Sequence, residues 1–562
     1  MRTAYTADQI RTAEHALMAL LPEGTLMQRA AAALAAACAR VLGRVYGSRV
    51  AVLVGSGDNG GDALYAAARL ARRGARVEAI LAGSRTHEGG LAALRAAGGR
   101  ILAARAADAA PGGGLPEEVA KAVAAADLIV DGLVGIGGGR ALRESYATLA
   151  GLAAGAPGTV VAVDVPSGVD ASTGRVEGAA VRAHLTVTFG ACKIGLLVDP
   201  GASHVGALEV IDIGLGPYLP EPELTALTAA DVAARLPRPG AESDKYRRGV
   251  VGVVAGSDRY TGAAVLAVGG AVRGGAGMVR YAGPPEPVRL VRARWPEAVT
   301  TILEPGDGVA GVGRVQAWVL GPGMGTDDRA HELARAVLGT GLPVVLDADG
   351  LTLLARDRSL LRPNMLLTPH AGELARLLGV PREQIEASRL AHVRRAAAEL
   401  GVTVLLKGST TLVAEEGRPV RVNTTGTPWL ATGGTGDVLS GLAGALLAGG
   451  LDCYEAGCCA AFLHGVAGRL AAAGAARAAT GTAVADAVAA GALGADALGP
   501  DAPGARAGRR ARARFRTRSR GRFGGPESPL AGVPEAPISA QDLPDALPEA
   551  LRSLDPPAKM EG

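Results

Sequence analysis

A glycine-rich turn that carries three polar side chains follows a strand-like apolar run early in the chain. The segment VGSGDNGGDAL (Val54–Leu64) places Asp58, Asn59 and Asp62 among glycines. Glycines let the backbone approach a ligand closely, and the N-terminus of a following helix favours anionic oxygen. The same pattern also occurs in ordinary tight turns of α/β domains, but the added polar side chains indicate a binding loop.

Two later loops carry aspartates directly after strand-like runs. LIVDGLVGIGGG contains Asp131, and VVAVDVPSGVDASTG contains Asp164 and Ser167. Because ligands of doubly wound sheets bind outside the carboxyl ends of the strands, we expect the three loops to converge. Oxygen atoms of Asn59, Asp131 and Ser167 would suit a hard cation, and Asp164 is placed to act as an acid or base. A single aspartate after a strand more often caps a helix, but three such loops together favour a site.

A further motif, GGTGD (Gly433–Asp437), opens a long apolar stretch that predicts one helix from Val438 to about Ala472. Backbone N–H groups of Thr435, Gly436 and Asp437 can form a nest for phosphoryl oxygens, which the helix dipole reinforces. The Asp437 carboxylate can then remove the proton of a substrate hydroxyl while the nest stabilises the transferring charge. The alternative is an aspartate that caps a helix after a glycine turn.

The motifs of the first half resemble the NAD(P)H-hydrate epimerase family of the YjeF N-terminal type. DNGGD, DGLVGIG, VDVPSGVDASTG and TFGACKIGL carry the resemblance, which covers about residues 5–216. It implies interconversion of the R and S forms of hydrated NADH and NADPH, with potassium bound by Asn59, Asp131 and Ser167. The family usually has asparagine where this chain has Asp58, and often glycine where it has Ala63, so the role of Asp58 is in question.

The same resemblance implies which residues contact the hydrated cofactor. Asp164 is the implied catalytic group. Lys193, in FGACKIG, is either a second catalytic or phosphate-binding group or a solvated surface lysine. The implied substrate-binding residues are Asp58, Asn59, Gly60, Gly61, Asp62, Gly135, Ile136, Gly137, Gly138, Gly139 and Asp164.

The second half resembles the NAD(P)H-hydrate dehydratases, a branch of the ribokinase-like superfamily whose signature is GxGD. Besides GTGD, the segments DKYRRGVVGVVAGSDRYTGAAVLA, LGPGMG, VVLDADGL, LLTPHAGELARLL and LLKGSTTLV occur in the family's order. The resemblance covers about residues 226–473 and a closing helix. It implies that an adenine nucleotide, with magnesium, phosphorylates the ring hydroxyl of the S hydrate and that phosphate is then eliminated. The nucleotide is ADP or ATP, and ADP is favoured.

The dehydratase resemblance also implies site residues. Asp437 is the implied catalytic group and also contacts substrate. Asp347 and Glu373 either position magnesium through water or cap helices. Ala263, Gly323 and His370 line the hydrated-cofactor pocket, although a lone histidine is more often structural, and the nucleotide is held by Lys407, Gly408, Ser409, Thr410, Thr411 and Gly436.

Alternation of short β-branched runs with Ala- and Leu-rich stretches predicts an α/β chain with parallel sheets covered on both faces. We expect two three-layer αβα domains, a Rossmann-like epimerase domain at 1–220 and a ribokinase-like dehydratase domain at 225–473. The Ala/Gly/Arg/Pro-rich residues 474–537 predict a disordered insertion, and 538–555 a closing helix of the dehydratase domain capped by Ser539. The alternative is a wholly disordered tail.

The charge distribution argues against a nucleic-acid-binding body. Lys and Arg number 58 and Asp and Glu 54, which gives +4, but nine arginines lie within residues 506–522. Without them the net charge is 4 − 9 = −5. The arginine run either tethers the chain to nucleic acid or another anionic surface, or is a solvated linker, and the linker is favoured.

Cysteine usage and hydropathy predict a cytoplasmic chain. The five cysteines form no CxxC pair, which disfavours a disulfide framework or a zinc site. The N-terminus lacks the apolar core of a secretory signal, and no uninterrupted apolar run is long enough to span a membrane. We therefore expect neither a membrane nor a nucleic-acid partner, and the family resemblance implies a homo-oligomer.

An alternative function remains open at this point. GTGD and KGS also occur in ribokinase-like kinases of small vitamin-precursor alcohols, and the first half would then be a non-catalytic binding module. The fused epimerase-like half argues against this alternative, because one domain would supply the other with the correct epimer.

Overall fold

The structure, a computed structural model, describes residues 1–83, 85–104, 115–489 and 535–554, with residues 476–489 described by their backbone alone. The chain divides into two compact units. The N-terminal unit contains residues 2–225 and 386–391, and the C-terminal unit contains 226–385 and the chain from 392 onward. The two units are described separately below.

The N-terminal unit alternates strands with helices. Its elements are β1 (Arg2–Tyr5), α1 (Ala7–Met18), α2 (Thr25–Leu42), β2 (Arg49–Val54), α3 (Asp58–Arg72), β3 (Arg76–Leu81), α4 (Glu88–Ala96), β4 (Arg100–Ala103), α5 (Glu117–Ala124), β5 (Leu128–Gly132), α6 (Glu144–Gly155), β6 (Thr159–Val163), β7 (Leu185–Phe189), β8 (Cys192–Lys193) and β9 (Ala207–Ile211).

Seven strands of this unit form a parallel sheet in the order β4-β3-β2-β5-β6-β7-β9, and β1 pairs with β8 outside it. The chain runs outward from β2 in one direction and from β5 in the other. The crevice at the carboxyl ends of β2 and β5 is therefore the topological switch point, where such sheets bind ligands. The loops after β2, β5 and β6 are the three that the sequence predicted to converge.

Both faces of this sheet are buried, as the apolar runs predicted. In β2, Val50, Val52 and Val54 belong to one core cluster, whereas Ala51 and Leu53 belong to another. Successive strand residues point to opposite faces, so a continuous apolar run is required where helices cover both faces. The α/β prediction is thus confirmed for this unit.

From residue 224 onward the same alternation continues. The elements are β10 (Leu224–Ala226), α7 (Ala229–Arg235), β11 (Val250–Val254), α8 (Thr261–Arg273), β12 (Met278–Gly283), α9 (Pro285–Arg294), β13 (Val299–Ile302), β14 (Ala317–Leu320), α10 (Asp328–Leu338), β15 (Val344–Leu346), α11 (Asp349–Arg356), β16 (Met365–Leu367), α12 (Ala371–Leu378), α13 (Arg382–Ala387), α14 (Arg389–Leu400), β17 (Thr403–Leu406), β18 (Thr411–Ala414), β19 (Val420–Asn423), α15 (Thr435–Ala448), α16 (Cys453–Ala489) and α17 (Asp542–Arg552).

The sheet of the C-terminal unit is parallel along β13-β12-β11-β14-β15-β16-β17 and continues with antiparallel β18 and β19. Its switch point lies between β11 and β14. The loops after β14, β15, β16 and β17 lead to Gly323, Asp347, His370 and Lys407 respectively. The sheet order therefore gathers most of the predicted site residues along one edge.

Two helix predictions need correction. The apolar stretch from Val438 to Ala472 is not one helix, because α15 ends at Ala448 and α16 begins at Cys453. Gly450 between them has φ 101°, a left-handed conformation that ends a helix. Residues 474–489, predicted to be disordered, continue α16 as helix. The rest of the predicted insertion up to residue 534 lies outside the described residues.

The closing helix packs into the core of the C-terminal unit. Leu543, Leu547 and Ala550 of α17 belong to the same buried cluster as residues of α8, α15 and α16. The prediction that Ser539 caps this helix is wrong in its geometry. The Ser539 N–H and hydroxyl both donate to the Asp542 carboxylate, and the helix begins at Asp542, three residues later.

Among the described residues, one helical segment, Cys453–Ala475, is long and apolar enough to cross a membrane. Its apolar window has a mean hydropathy of 1.3, and 78% of that window is buried inside the chain. Such burial is typical of a core helix.

Replacing Leu547 with alanine should destabilise the C-terminal unit by about 2–5 kcal/mol, because a cavity would remain beneath α17. The three tryptophans, Trp295, Trp318 and Trp429, all lie in this unit, so fluorescence-detected urea unfolding reports on it. Glu549→Ala, exposed on the same helix, is the control. Equal unfolding midpoints for the two variants would contradict this role of α17.

Candidate active sites

In the N-terminal unit, the loops after β2 and β5 touch each other. A side chain at Gly55 would clash with the backbone carbonyl of Leu133, and a Cβ at Gly135 would lie 2.9 Å from Asn59 Oδ1. Only glycine permits this close approach of two loops. The structure therefore brings together the predicted residues of the first loop (58–62) and of the second (135–139).

Asp131 and Ser167 form a buried polar pair beside these loops. Both are fully buried, and Asp131 accepts hydrogen bonds from the Ser167 N–H at 2.8 Å and hydroxyl at 2.6 Å. Burial raises the pKa of Asp131 to about 6, which the hydrogen bonds from Ser167 oppose. The Ser167 Oγ also lies 3.2 Å from the Val134 carbonyl oxygen. A buried carboxylate among hydroxyl and carbonyl oxygens fits a hard cation, because a bound positive charge would stabilise its ionised form.

Lys193 forms a buried ion pair with Asp164. Its side chain is 1% exposed, and Nζ lies 2.6 Å from Asp164 Oδ1. Nζ also donates to the Phe189 carbonyl at 2.7 Å and to Thr188 Oγ1 at 3.0 Å. The surface-lysine alternative is therefore wrong. Asp164 has φ 65°, an uncommon conformation for a non-glycine residue, of the kind that clusters at functional sites.

Further carboxylates crowd this ion pair. Burial, with the nearby charges of Asp164 and Asp58, raises the pKa of Asp62 well above its ordinary value. Burial likewise raises the pKa of Glu14, which interacts electrostatically with Lys193 and Asp164. Sequence reasoning missed Glu14, because it lies on α1 in no recognisable motif. Its pairing with this site depends on where α1 packs.

Two buried polar atoms at the same site have no hydrogen-bond partner among the described residues, Asn59 Nδ2 and Asp62 Oδ1. Buried polar groups are normally satisfied, so such atoms mark a place where a ligand or ion can complete the bonding. The neighbouring loop is held from outside, since Arg11 Nη2 donates to the Ile136 carbonyl at 3.0 Å.

In the C-terminal unit, a second lysine–aspartate pair lies at the carboxyl ends of the parallel strands. Lys407 Nζ lies 2.7 Å from Asp347 Oδ1, and Asp347 Oδ2 accepts from the Ser440 hydroxyl at 2.7 Å. Burial alone would lower the pKa of Lys407, but Asp347 and Glu373 raise it above the ordinary value. The Asp347 side chain therefore pairs with the ammonium group of Lys407 and does not cap a helix. Sequence reasoning gave Ser440 no role, because it lies inside α15, beyond the GGTGD turn.

Asp437 lies in the first turn of α15, as predicted. Burial, together with the charges of Asp347 and Asp349, raises its pKa to about 7 against the opposing effect of Lys407. The predicted nest differs in detail. The Asp437 N–H donates to the Gly434 carbonyl at 3.1 Å, and the Thr435 N–H to the Thr432 carbonyl at 3.4 Å, so both amides make turn hydrogen bonds.

His370 caps α12 with its side chain. Its Nδ1 accepts from the N–H groups of Gly372 at 3.0 Å and Glu373 at 3.3 Å, so the ring proton is on Nε2. Glu373 in turn accepts from the His370 N–H at 2.8 Å, which completes a capping box. Burial lowers the pKa of His370, which keeps the ring neutral. The capping alternative therefore holds for Glu373, and the His370 side chain is 55% exposed.

The other predicted residues fall into two neighbouring groups. Gly323, with φ 62°, packs against Ala263, because a Cβ there would lie 2.9 Å from the Ala263 Cβ. The turn from Lys407 to Thr411 joins β17 to β18. Its lysine points toward the start of α15, since Nζ lies 3.4 Å from where a Gly436 Cβ would be. Lys407 is thus placed beside the first turn of α15.

Replacing Lys193 with methionine should destabilise the N-terminal unit by about 3–5 kcal/mol, because Asp164 would be left buried without its cation. Hydrogen exchange of the β6 and β7 peptides measures this effect within the intact chain. Lys121→Met, which removes an exposed lysine paired with Glu117, is the control. If the two variants exchange alike, the pair does not hold the site together.

Comparison with known proteins covers both units. Residues 23–195 match the family described as YjeF-related protein N-terminus, and residues 251–489 match NAD(P)H-hydrate dehydratase. The bifunctional NAD(P)H-hydrate repair enzyme Nnr of Mycobacterium leprae is 46% identical over 84% of this chain and 95% of its own. The enzyme of the same name from Mycobacterium tuberculosis is 47% identical over 81% of this chain and 91% of its own.

A solved structure of the ADP/ATP-dependent NAD(P)H-hydrate dehydratase from Bacillus subtilis, co-crystallised with ATP and Mg²⁺, is 31% identical. It covers 44% of this chain and 88% of the solved chain, with a TM-score of 0.39. The match to the mycobacterial relatives extends over nearly the whole length of those proteins. The chain belongs to the family of bifunctional NAD(P)H-hydrate repair enzymes.

Proposed function

We propose that this chain repairs hydrated NADH and NADPH with the two sites described above. The N-terminal site epimerises the R and S hydrates, and the C-terminal site dehydrates the S hydrate at the cost of an adenine nucleotide. Family membership supports the overall repair activity. The observation that carries the assignment of sites is the same in each unit: a lysine forms an ion pair with a buried aspartate at the carboxyl ends of parallel strands.

At the C-terminal site the reaction needs a better leaving group than hydroxide. Asp437 removes the proton of the ring hydroxyl as that oxygen attacks the terminal phosphate of ADP or ATP. Lys407 and the start of α15 stabilise the transferring negative charge, and the helix dipole favours it. The ring nitrogen then expels phosphate from the adjacent carbon, and loss of a ring proton restores the dihydropyridine.

Magnesium and the nucleotide are assigned to the same edge of the sheet. A bound magnesium ion would neutralise charge on the phosphates. Asp347 holds Lys407, Glu373 holds the start of α12, and both carboxylates are buried, so they would position the metal through water and not as direct ligands. The proposed nucleotide contacts are Lys407, Gly408, Ser409, Thr410, Thr411 and Gly436, and the proposed hydrated-cofactor contacts are Ala263, Gly323, His370 and Asp437.

At the N-terminal site, Asp164 acts as the acid–base group, and Lys193 holds its carboxylate in place. The hydrated cofactor contacts residues 58–62, residues 135–139 and Asp164. Asn59, Asp131 and Ser167 would hold potassium, whose fixed charge would balance the carboxylates around the substrate. The buried oxygens of Asp131 and Ser167 support this donor set.

The remaining assignments follow from this function. The proposed partners are small molecules, the hydrates NADHX and NADPHX and an adenine nucleotide, and no nucleic acid or membrane takes part. The enzyme is proposed to act in the cytoplasm as a homo-oligomer. No observation on either unit favours a vitamin-precursor kinase, and the buried Lys193–Asp164 pair argues against a non-catalytic first half.

A mixture of R and S hydrated NADH tests both sites at once. With magnesium, potassium and ADP or ATP in parallel, the wild-type chain should restore the absorbance of all the NADH. Asp164→Ala should restore only the S fraction, because the R hydrate is not converted. Asp437→Asn should restore almost none, because the hydroxyl proton has no acceptor. Absence of NADH with either nucleotide would sink the repair assignment.

The dehydration rate should depend on the ionisation of Asp437. Its raised pKa, about 7, means that the carboxyl is protonated and inactive as a base below that pH. We expect kcat/KM on the S hydrate to fall as the pH drops through about 7. Asp349→Asn keeps an acceptor for the Gly325 N–H but removes one charge that raises this pKa, so it should move the profile to lower pH. An unshifted profile would exclude Asp437 as the titrating base.

A further inference from the structure

The loop between β19 and α15, residues 424–434, leads into one of the two segments to which the nucleotide is assigned and contacts the other. It ends at the GGTGD turn, and at its other end a Cβ at Gly426 would lie 3.3 Å from the Ser409 carbonyl oxygen of the KGSTT turn. The loop backbone therefore touches the KGSTT turn and leads directly into the start of α15, so its conformation bears on how these two segments are placed.

Arg469 of α16 holds the backbone of this loop. Its Nε donates to the Thr425 carbonyl and its Nη2 to the Gly426 carbonyl, both at 2.6 Å. A planar guanidinium fixes two successive carbonyls in one geometry, which lysine does not reproduce. Both bonds are charge-assisted and thus stronger than ordinary amide hydrogen bonds.

Glu535 completes the arrangement. Its Oε2 accepts from the buried Thr427 hydroxyl at 2.5 Å, and its Oε1 lies 3.6 Å from Arg469 Nη1. The following residue, Ala536, donates its N–H to the Ala472 carbonyl of α16 at 3.0 Å. Glu535 therefore links α16 to the middle of the loop, although 108 residues separate it from Thr427.

Helix α16 also holds the start of α15. His464 is buried, and burial lowers the pKa of its imidazole to about 4, so the ring is neutral. Its Nε2–H donates to the Thr435 carbonyl at 2.9 Å. Between His464 and Arg469, a side chain at Gly465 would clash with the Thr425 hydroxyl, so the helix and loop are in direct contact.

We infer that Arg469, supported by Glu535, is a positioning residue that sets the β19–α15 loop in the shape that binds the adenine nucleotide. Neither side chain has to touch the nucleotide for this role. The inference rests on the proposed nucleotide-dependent dehydration. It predicts that loss of the Arg469 hydrogen bonds to the loop weakens nucleotide binding. Asp437, the hydrated-cofactor contacts and the N-terminal site should keep their geometry.

The test uses the full-length protein and the variant Arg469→Met, which keeps an apolar stem but removes the donors. Loss of two charge-assisted hydrogen bonds should raise the KM for the nucleotide about tenfold or more and leave kcat within about twofold. The KM for the S hydrate and the epimerisation rate should not change. Arg395→Met, which removes an exposed arginine paired with Glu399, is the matched control.

Trp429 provides a readout that does not depend on activity. It lies in the loop, and its backbone N–H donates to Thr427 Oγ1 at 3.4 Å. In the nucleotide-free protein, Arg469→Met should make Trp429 more accessible to acrylamide quenching than the control does. Thr427→Val should act in the same direction, and Thr427→Ser, which keeps the hydroxyl for Glu535, should restore wild-type behaviour. These milder variants also serve if Arg469→Met does not fold.

An unchanged nucleotide KM together with unchanged quenching would overturn the inference. It would also be overturned if kcat and both KM values worsened together with thermal stability, since that result indicates a general structural role. If the wild-type chain restores no NADH with either nucleotide, the proposed function fails. The quenching comparison then still decides whether Arg469 positions the loop.

Discussion

Each unit of this chain depends on a lysine that forms an ion pair with a buried aspartate at the carboxyl ends of parallel strands. Lys193 lies 2.6 Å from Asp164, and Lys407 lies 2.7 Å from Asp347. A buried charge without its partner is strongly unfavourable, so each pair restricts the loops that carry it to one arrangement. The partners are 29 and 60 residues apart in the sequence. The parallel sheet is what brings them within reach of each other.

The ion pairs also determine which other carboxyl groups remain available for proton transfer. In each site one lysine is shared among several carboxylates, so those outside the pair are only partly neutralised. Burial therefore raises the pKa of Asp62 and Glu14 in one unit and of Asp437, to about 7, in the other. A carboxyl that titrates near neutral pH exchanges protons efficiently under working conditions. The pairing that stabilises the loops thus also tunes the chemistry.

Loops at the edge of a sheet need support from outside the sheet, and α16 supplies it in the C-terminal unit. His464 and Arg469 hold the carbonyls of Thr435, Thr425 and Gly426. Because these side chains lie on a helix packed in the core, the loop inherits the rigidity of that core. Carbonyl groups that accept from α16 are fixed before any ligand arrives, which reduces the entropy lost on binding.

Sequence alone was sufficient for the α/β class, the order of most elements and the loops that form each site, because apolar periodicity and glycine motifs act over a few residues. It also indicated Asp131, Asp164, Ser167 and Asp437, since each follows a strand or opens a helix. Wrong predictions concerned continuity, as at Gly450, where a local break ended an otherwise helical apolar pattern.

Only the tertiary structure decided that Lys193 is buried and that Asp347 pairs with Lys407. It also decided that Glu14 lies near Lys193, that Ser440 donates to Asp347, and that Arg469 holds the loop before α15. These residues lie in no motif of their own, or in one that is compatible with several roles. Their partners are set by which strands become neighbours and how the helices pack over them. That arrangement depends on contacts between residues far apart in the chain, which local sequence patterns do not encode.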